Sequence, residues 1–441
     1  MFGLKWKRGR ERQPRRGSGN SHAPRADQSE QAPFPTSTAP PALPKIEMMW
    51  LGRDSGEKKR GVPLPERIAT FLVGTTGSGK STLLLYLMLQ DLEAGRGLCL
   101  LDAHGDLARM ILSYVPPERW KDVVYINPQT AWVNQRIVQF NFLEEVPGVV
   151  ASVVDRAFMD SLEKIYKEYW GPRLEQILMN ALLAIREAQP KNVTLHDLSE
   201  FLGDPDKRRK VMKRVEDKEV QRFWTFIFPT MPDYAESAVE TKLFRVLQEP
   251  TLVPMFAAAR STVNFRELMD TNKIIIVNLP EGQLTSSVTN FLGSMLLSRL
   301  YLAGMSREDT PEGKRIPFSI YVDESARFMT TTLVDLLQAL RKYKVHVTLA
   351  VQDLLQYDQD LREVVPGLCN TICVFACGEK TARALEGYFK GENFNYMNLM
   401  KTPLHRFYVA SRYWGEVHRG LLNTMVPTSF DAGGKEVDSL K

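Results

Sequence analysis

Two periods of apolar residues alternate along this chain. Short continuous apolar runs, as expected of strands covered on both faces, fall at Ile68–Val73, Gly97–Leu101 and Asp122–Ile126. Between them, Ser81–Ala94 and Leu107–Val115 carry longer helix-forming patterns. Strand and helix in alternation predict a mostly parallel sheet with helical crossovers. From about Val149 to Arg266 the strand patterns stop. Ala151–Trp170, Arg173–Ala188, Leu195–Phe201 and Glu216–Phe228 instead repeat apolar residues at helical spacing. Strand patterns return at Lys273–Leu279, Phe318–Val322, Val345–Val351 and Thr371–Cys377. The expected fold class is α/β, with residues 47–150 and 267–425 as two halves of one sheet domain. Residues 151–266 form an all-α insertion between them, and 1–46 and 426–441 are tails.

Composition refines this picture in two places. The chain has 441 residues, 44% of them apolar, enough for a large core. Its net charge of +5 is concentrated at the start, where Lys5, Lys7, Arg8, Arg10, Arg12, Arg15 and Arg16 stand against Glu11 alone. The remaining body is near neutral. Residues 1–46 are rich in Pro, Ser, Ala and Arg and read as a disordered tail. Its basic cluster reads equally as a solvated tail or as a contact for nucleic acid or anionic lipid. The longest apolar stretch, Phe291–Met305, is broken by Arg299 and is too short to cross a bilayer. The basic start lacks the apolar segment of a secretory signal. Four cysteines indicate a reducing compartment. The expected location is the cytoplasm, with membrane association only through partners.

Candidate chemistry begins directly after the first apolar run. Gly74-Thr75-Thr76-Gly77-Ser78-Gly79-Lys80-Ser81-Thr82 matches the phosphate-binding loop G-x-x-x-x-G-K-[ST], between a strand and a helix former run as that loop requires. Glycines let successive N–H groups turn inward onto phosphate oxygens, and the helix start adds its positive dipole end. Lys80 is expected on the β/γ-phosphates, and the Ser81 hydroxyl on Mg²⁺. Such a loop needs a carboxylate at the end of a hydrophobic strand, and Phe318–Val322 ends in Asp323-Glu324. Asp323 is expected to hold Mg²⁺, and Glu324 to orient and deprotonate the attacking water. The sequence contains no N-K-x-D, so ATP is the expected nucleotide. Gln352, at the end of Val345–Val351, is placed to sense the γ-phosphate. Arg341, or its neighbour Lys342, is placed to reach into an adjacent subunit and stabilise charge on the transferring phosphoryl group.

The loop Gly74–Thr82, Asp102-Ala103-His104-Gly105-Asp106-Leu107, Tyr321-Val322-Asp323-Glu324, Arg341-Lys342-Tyr343 and Val351-Gln352 occur in that order. Together they resemble the TraG/TraD/TrwB-like coupling proteins of conjugative type IV secretion, within the HerA/FtsK group of DNA-pumping motors. The likeness spans roughly residues 49–425. It implies a RecA-like P-loop ATPase, a helical accessory domain and a ring of six subunits with ATP between neighbours. It further implies Arg341 acting in trans, Gln352 as the motif-three glutamine, DNA in a central channel, a relaxase or relaxosome as cargo, and a membrane or secretion-channel partner. Membrane-anchored members carry transmembrane helices ahead of the loop. Here 73 residues precede Gly74 without such a helix, so a soluble form working with a separate membrane subunit is expected. The alternatives are a protein-remodelling ATPase of the same superfamily, or a nucleotide-regulated scaffold that hydrolyses negligibly.

Weaker signals read structurally. Asp102, His104 and Asp106 suggest a turn in which Asp106 caps the next helix, with a modest role for Asp102 near the nucleotide. Cys369, Cys373 and Cys377 are spaced too widely on a strand for one metal and read as core. Lys207, Arg208, Arg209, Lys210, Lys213 and Arg214, interspersed with acids, read as a solvated helix face or as a DNA contact. Tyr408, Arg412, Tyr413 and Trp414 suit either a closing β-hairpin or stacking on single-stranded bases.

Overall fold

Each of the seven apolar runs becomes a strand, and the seven lie parallel in one sheet. They are β3 (Ala69–Val73), β4 (Gly97–Asp102), β5 (Val123–Ile126), β6 (Ile274–Asn278), β7 (Phe318–Val322), β8 (Val345–Val351) and β9 (Thr371–Val374). Four antiparallel strands extend the sheet at one side: β1 (Met48–Arg53), β2 (Lys59–Pro63), β10 (Arg406–Tyr413) and β11 (Glu416–Thr424). The order is β2-β1-β11-β10-β9-β3-β8-β7-β4-β6-β5. The computed structural model describes residues 47–128, 138–232, 249–280 and 284–425, apart from Thr251, Ala257, Lys390, Glu392 and Asn393. All of these belong to one compact unit. Both tails, including the basic cluster Lys5–Arg16, lie outside the described residues.

The alternation of side chains along a strand explains why the runs are continuous rather than alternating. Phe71, Val73, Leu101, Ile320, Val322, Leu349 and Val351 enter a core on one face. Leu72, Leu100, Tyr321, Ala350 and Cys373 enter a second core on the other. Helices Lys80–Glu93 and Asp106–Ser113 cover the second face. The first is covered by helix Ser286–Met305, which is apolar almost all round and correspondingly buried, with helix Ala151–Tyr166 packed against it. The Phe291–Met305 stretch is therefore core. Among the described residues no helix is long and apolar enough to cross a membrane.

The helical segments predicted between Val149 and Arg266 form helices Ala151–Tyr166, Pro172–Ala188, Leu195–Gly203, Pro205–Met212 and Lys218–Arg222, the last running on through a π-helical turn to Ile227. Of the basic patch, Lys207–Lys210 lie on Pro205–Met212, and Lys213 and Arg214 follow its end. There Lys207 pairs with Glu200, Arg209 with Asp206, and Arg208 sits over the Trp224 and Phe228 rings. All four cysteines are free and buried, and burial pushes the Cys369 and Cys377 thiols up to about 12. Tyr413 and Trp414 belong to a β10–β11 hairpin, where Tyr413 stacks on His418 at 3.9 Å.

At the amino end of the parallel strands sits a buried ionic cluster. Asp91, from the P-loop helix, accepts the Tyr321 hydroxyl at 2.6 Å and Arg96 Nε at 2.7 Å, and Arg67 approaches it at 3.6 Å. Arg67 also donates to Ser319, Tyr321 and Thr348, so one guanidinium ties β7 and β8 together. Burial alone would raise the Asp91 carboxyl, but the two guanidiniums and the Tyr321 and Ser319 hydroxyls outweigh it and hold its pKa lowered. Its contribution is therefore complete above the ordinary carboxylate range and is lost as pH falls through its depressed pKa. Asp91→Ala leaves Arg67 buried without its charge partner and is expected to cost about 3–5 kcal/mol. Chemical denaturation at neutral pH checks this, and a loss below about 1 kcal/mol would mean the cluster contributes no more than a surface pair.

Candidate functional site

The carboxyl ends of β3, β8, β7 and β4 lie side by side, and the sequence-predicted residues gather there. Register brings Val73 opposite Val351, Val322 opposite Leu349, and Leu101 opposite Val322. The next residues along each strand are Gly74, Gln352, Asp323 and Asp102, two of them acids. In an open α/β sheet this edge is where ligands bind.

The loop after β3 has the backbone its motif requires. Gly79 has φ 116°, a conformation closed to side chains, and a Cβ there would also crowd Phe375 and His405. A Cβ on Gly74 would sit 2.5 Å from the Phe375 side chain. Thr75 N–H donates to Ala376 O at 2.8 Å, fastening the loop to the segment after β9. Thr75, Thr76 and Gly77 are exposed, whereas Ser78, Gly79 and Lys80 are buried. Ser81 and Thr82 follow in the first turn of helix Lys80–Glu93, where N–H groups have no intrahelical acceptor. Lys80 Nζ donates to Gly74 O at 2.5 Å and Thr75 O at 3.2 Å. Burial lowers the Lys80 pKa, an effect opposed by the nearby Glu324 and Asp323 charges.

Three side chains connect the loop to the acidic pair. Thr76 Oγ1 donates to Gln352 Oε1 at 3.0 Å, and Gln352 Nε2 donates to Glu324 Oε1 at 2.7 Å. Glu324 takes a left-handed backbone at φ 52°, a conformation that costs a non-glycine residue about 1–3 kcal/mol and that clusters at functional sites. The strain is held in place by its neighbour Ser325, whose hydroxyl bonds Ala350 O and Tyr357. Asp323 is buried, and its carboxyl is pushed up to about 6, by burial first and then by Asp102 and Glu324, with Lys80 and His104 opposing.

Other predicted residues fall differently. Asp106 does not cap the next helix, whose N-cap is Gly105. Asp102 anchors that turn instead, accepting His104 N–H at 2.9 Å and Ala108 N–H at 2.8 Å, because its strand-end carboxylate lies under the turn while Asp106 points out beside Arg109. His104 lies 4.0 Å from Glu324 Oε1, closer to the acidic pair than the motif alone suggested. Arg341 is exposed and precedes β8, so a strand of seven residues, roughly 20 Å, separates it from the edge carrying Gln352. It cannot reach the loop of its own chain. Lys342 is engaged within the chain, 2.9 Å from Glu308 and over the Tyr343 ring. Sequence reasoning missed the turn Pro403–Arg406, which lies against the loop through His405 N–H on Ser78 O. No motif marks it, since only strand pairing brings residue 405 beside residue 78.

The donor set suits a hard cation shared with phosphates. Ser81 and Asp323 offer oxygen ligands beside the loop, and no group of three or more His, Cys, Asp or Glu among the described residues forms a dedicated metal cage. Mg²⁺ is commonly bound in this way, by one or two protein oxygens with phosphate and water completing the shell.

Comparison with solved structures places the fold. Over 86% of this chain and 89% of the other, the conjugative coupling protein TrwBΔN70 superposes with a TM-score of 0.59 at 16% identity. The protein has the fold of TrwB. VirB4 of Thermoanaerobacter pseudethanolicus matches equally well, with a TM-score of 0.60 at 15% identity over 86% of this chain and 96% of that one. TrwB in complex with ADP and Mg²⁺ matches at 0.59 and 15% identity, covering 89% and 97%. No family model and no curated protein matches the sequence. The RecA-like P-loop NTPase fold expected from the sequence is thus observed.

The raised Asp323 carboxyl has a thermodynamic consequence. Between about pH 4 and about 6 the folded chain binds a proton at Asp323 that the unfolded chain has lost, so this group's contribution to stability falls as pH rises through that window. Asp323→Asn cannot ionise. Relative to wild type, its melting temperature without nucleotide is expected to rise progressively from pH 4 to 7. A pH-independent difference in calorimetry would contradict the assignment.

Proposed function

We propose that this protein is a Mg²⁺-dependent ATP hydrolase. The observation that carries the reading is the continuous chain Thr76–Gln352–Glu324, which couples a phosphate-binding loop to a strained carboxylate beside it. Gly74–Thr82 cradles the triphosphate, with Lys80 on the β/γ-oxygens. Ser81 and Asp323 would hold Mg²⁺, which when bound neutralises charge on the β- and γ-phosphates. Glu324 accepts a proton from the attacking water as the new P–O bond forms and the bond to the β-phosphate oxygen breaks. Gln352, bonded to both Glu324 and the loop, registers the change in the γ-phosphate. The solved complexes of TrwB with ADP and Mg²⁺, and with ATP and GTP analogues, support a nucleotide at this loop.

The larger reading is a DNA translocase of the coupling-protein kind, a cytoplasmic ring of six with ATP at subunit junctions. Arg341, exposed and remote from its own subunit's loop, then acts on a neighbour's site, a role for which Lys342 is less suited because it is tied to Glu308. Residues 151–266 serve as the accessory domain, and a relaxase and a membrane protein are the partners. A secretion ATPase that remodels protein without pumping DNA is the second reading; the fold matches VirB4 as well as it matches TrwB.

Glu324→Gln is expected to lower kcat about 10²–10⁴-fold while ATP binding stays within a few-fold of wild type. Phosphate release and nucleotide titration measure the two quantities, and undiminished turnover would remove Glu324 from the reaction. DNA should stimulate wild-type turnover with a steep loss on adding salt. Turnover indifferent to single- and double-stranded DNA selects the protein-remodelling reading.

A further inference from the structure

A triphosphate seated on this loop has a direction. Its γ end faces Gln352 and Glu324, which follow β8 and β7 on one side of β3. The phosphate chain therefore carries the nucleoside away from them, toward the opposite side of β3, where β9 and then β10 lie. On that side the turn Pro403–Arg406 abuts the loop. His405 N–H donates to Ser78 O at 3.2 Å, and His405 Nδ1 lies 3.3 Å from where a Cβ on Gly79 would be.

The turn is braced from beneath and open above. Arg406 N–H donates to Pro403 O at 3.1 Å, and Thr424 N–H of β11 donates to His405 O at 2.8 Å. Phe375, whose side chain backs the loop, packs on Phe407 at 5.1 Å. His405 is held at φ 58°, a left-handed conformation uncommon outside glycine, though histidine adopts it more readily than most side chains. Its side chain is exposed, and Leu404 beside it is 66% exposed. A single exposed leucine is ordinary. An apolar side chain and an imidazole on a rigid, strained turn bonded to a phosphate loop form a face suited to a flat ring.

We propose that Leu404 and His405 form the nucleoside subsite of this site, covering one face of the nucleotide base. The proposal rests on the reading of Gly74–Thr82 as a triphosphate loop. Base contact is apolar and stacking in kind, the chemistry by which imidazole and aliphatic groups hold any base without reading its edge. The His405–Ser78 main-chain bond then couples base binding to the loop that holds the phosphates.

The test titrates the full chain calorimetrically with Mg-ATP and with Mg-tripolyphosphate, which has the phosphates and no nucleoside. The variant Leu404→Ser/His405→Asn removes the proposed face, and asparagine tolerates the left-handed backbone, which preserves the bond to Ser78. ATP affinity is expected to fall about tenfold, with tripolyphosphate affinity changed less than about twofold. Unchanged ATP affinity in the variant, with tripolyphosphate still binding wild type, overturns the subsite and leaves the loop reading intact. Equal losses for both probes overturn it too, showing that the turn only braces the loop. Wild type that binds neither probe overturns the loop reading and the subsite together.

Discussion

The in-register parallel pairing of β3, β8, β7 and β4 is the constraint on which the site depends. β3 ends opposite Val351 and β7 opposite Leu349, two residues earlier on β8, while Leu101 of β4 ends opposite Val322, so the residues that follow these strands arrive at one edge. A one-residue slip of β7 would turn Ile320 and Val322 from one core to the other and move both Asp323 and Glu324 off their places at the edge. Continuous apolar composition does not by itself prevent such a slip, since both faces are buried. Specific polar contacts do: Arg67 bonds to Ser319, Tyr321 and Thr348 lock β7 against β8 at the amino end.

The two edges of the sheet thus carry opposite electrostatics. At the amino end, charges are matched and hydrogen-bonded, with Asp91 held ionised between Arg67 and Arg96. At the carboxyl end Asp102, Asp323 and Glu324 crowd together with Lys80 as the nearby cation, and the Asp323 carboxyl is raised in consequence. Such a surplus of negative charge is unfavourable in the bare fold and becomes favourable only when a cation enters. The strained Glu324 backbone belongs to the same pattern, in which local cost is concentrated where chemistry is to occur.

The antiparallel extension β10-β11-β1-β2 has a part in this arrangement beyond lengthening the sheet. It supplies the turn that lies against the loop on the side away from Glu324. Packing therefore encloses the loop from both directions. Asp323, Glu324 and Gln352 stand on one side, and a braced turn with exposed side chains on the other.

Much of this was legible in the residues themselves. The seven parallel strands were readable because strands buried on both faces need unbroken apolar runs. The loop Gly74–Thr82 was readable because its turn needs glycine at the left-handed positions Gly77 and Gly79, and a lysine follows them at the helix start. Asp323, Glu324 and Gln352 could be located because each directly follows such a run. Strands β1 and β2 were not legible, being short, glycine-interrupted and mixed in polarity, and β11, on which β1 pairs, lies some hundreds of residues away in sequence. Nor did the motif around Asp102 reveal which acid anchors the turn, since that depends on which carboxylate lies beneath the helix start. Local sequence determined which groups could do chemistry, because strand period and turn chemistry are local. Only the tertiary structure decided which of them meet, placing Gln352 on Glu324, Arg341 at the far edge and His405 against Ser78, because strand order and register are set by long-range packing.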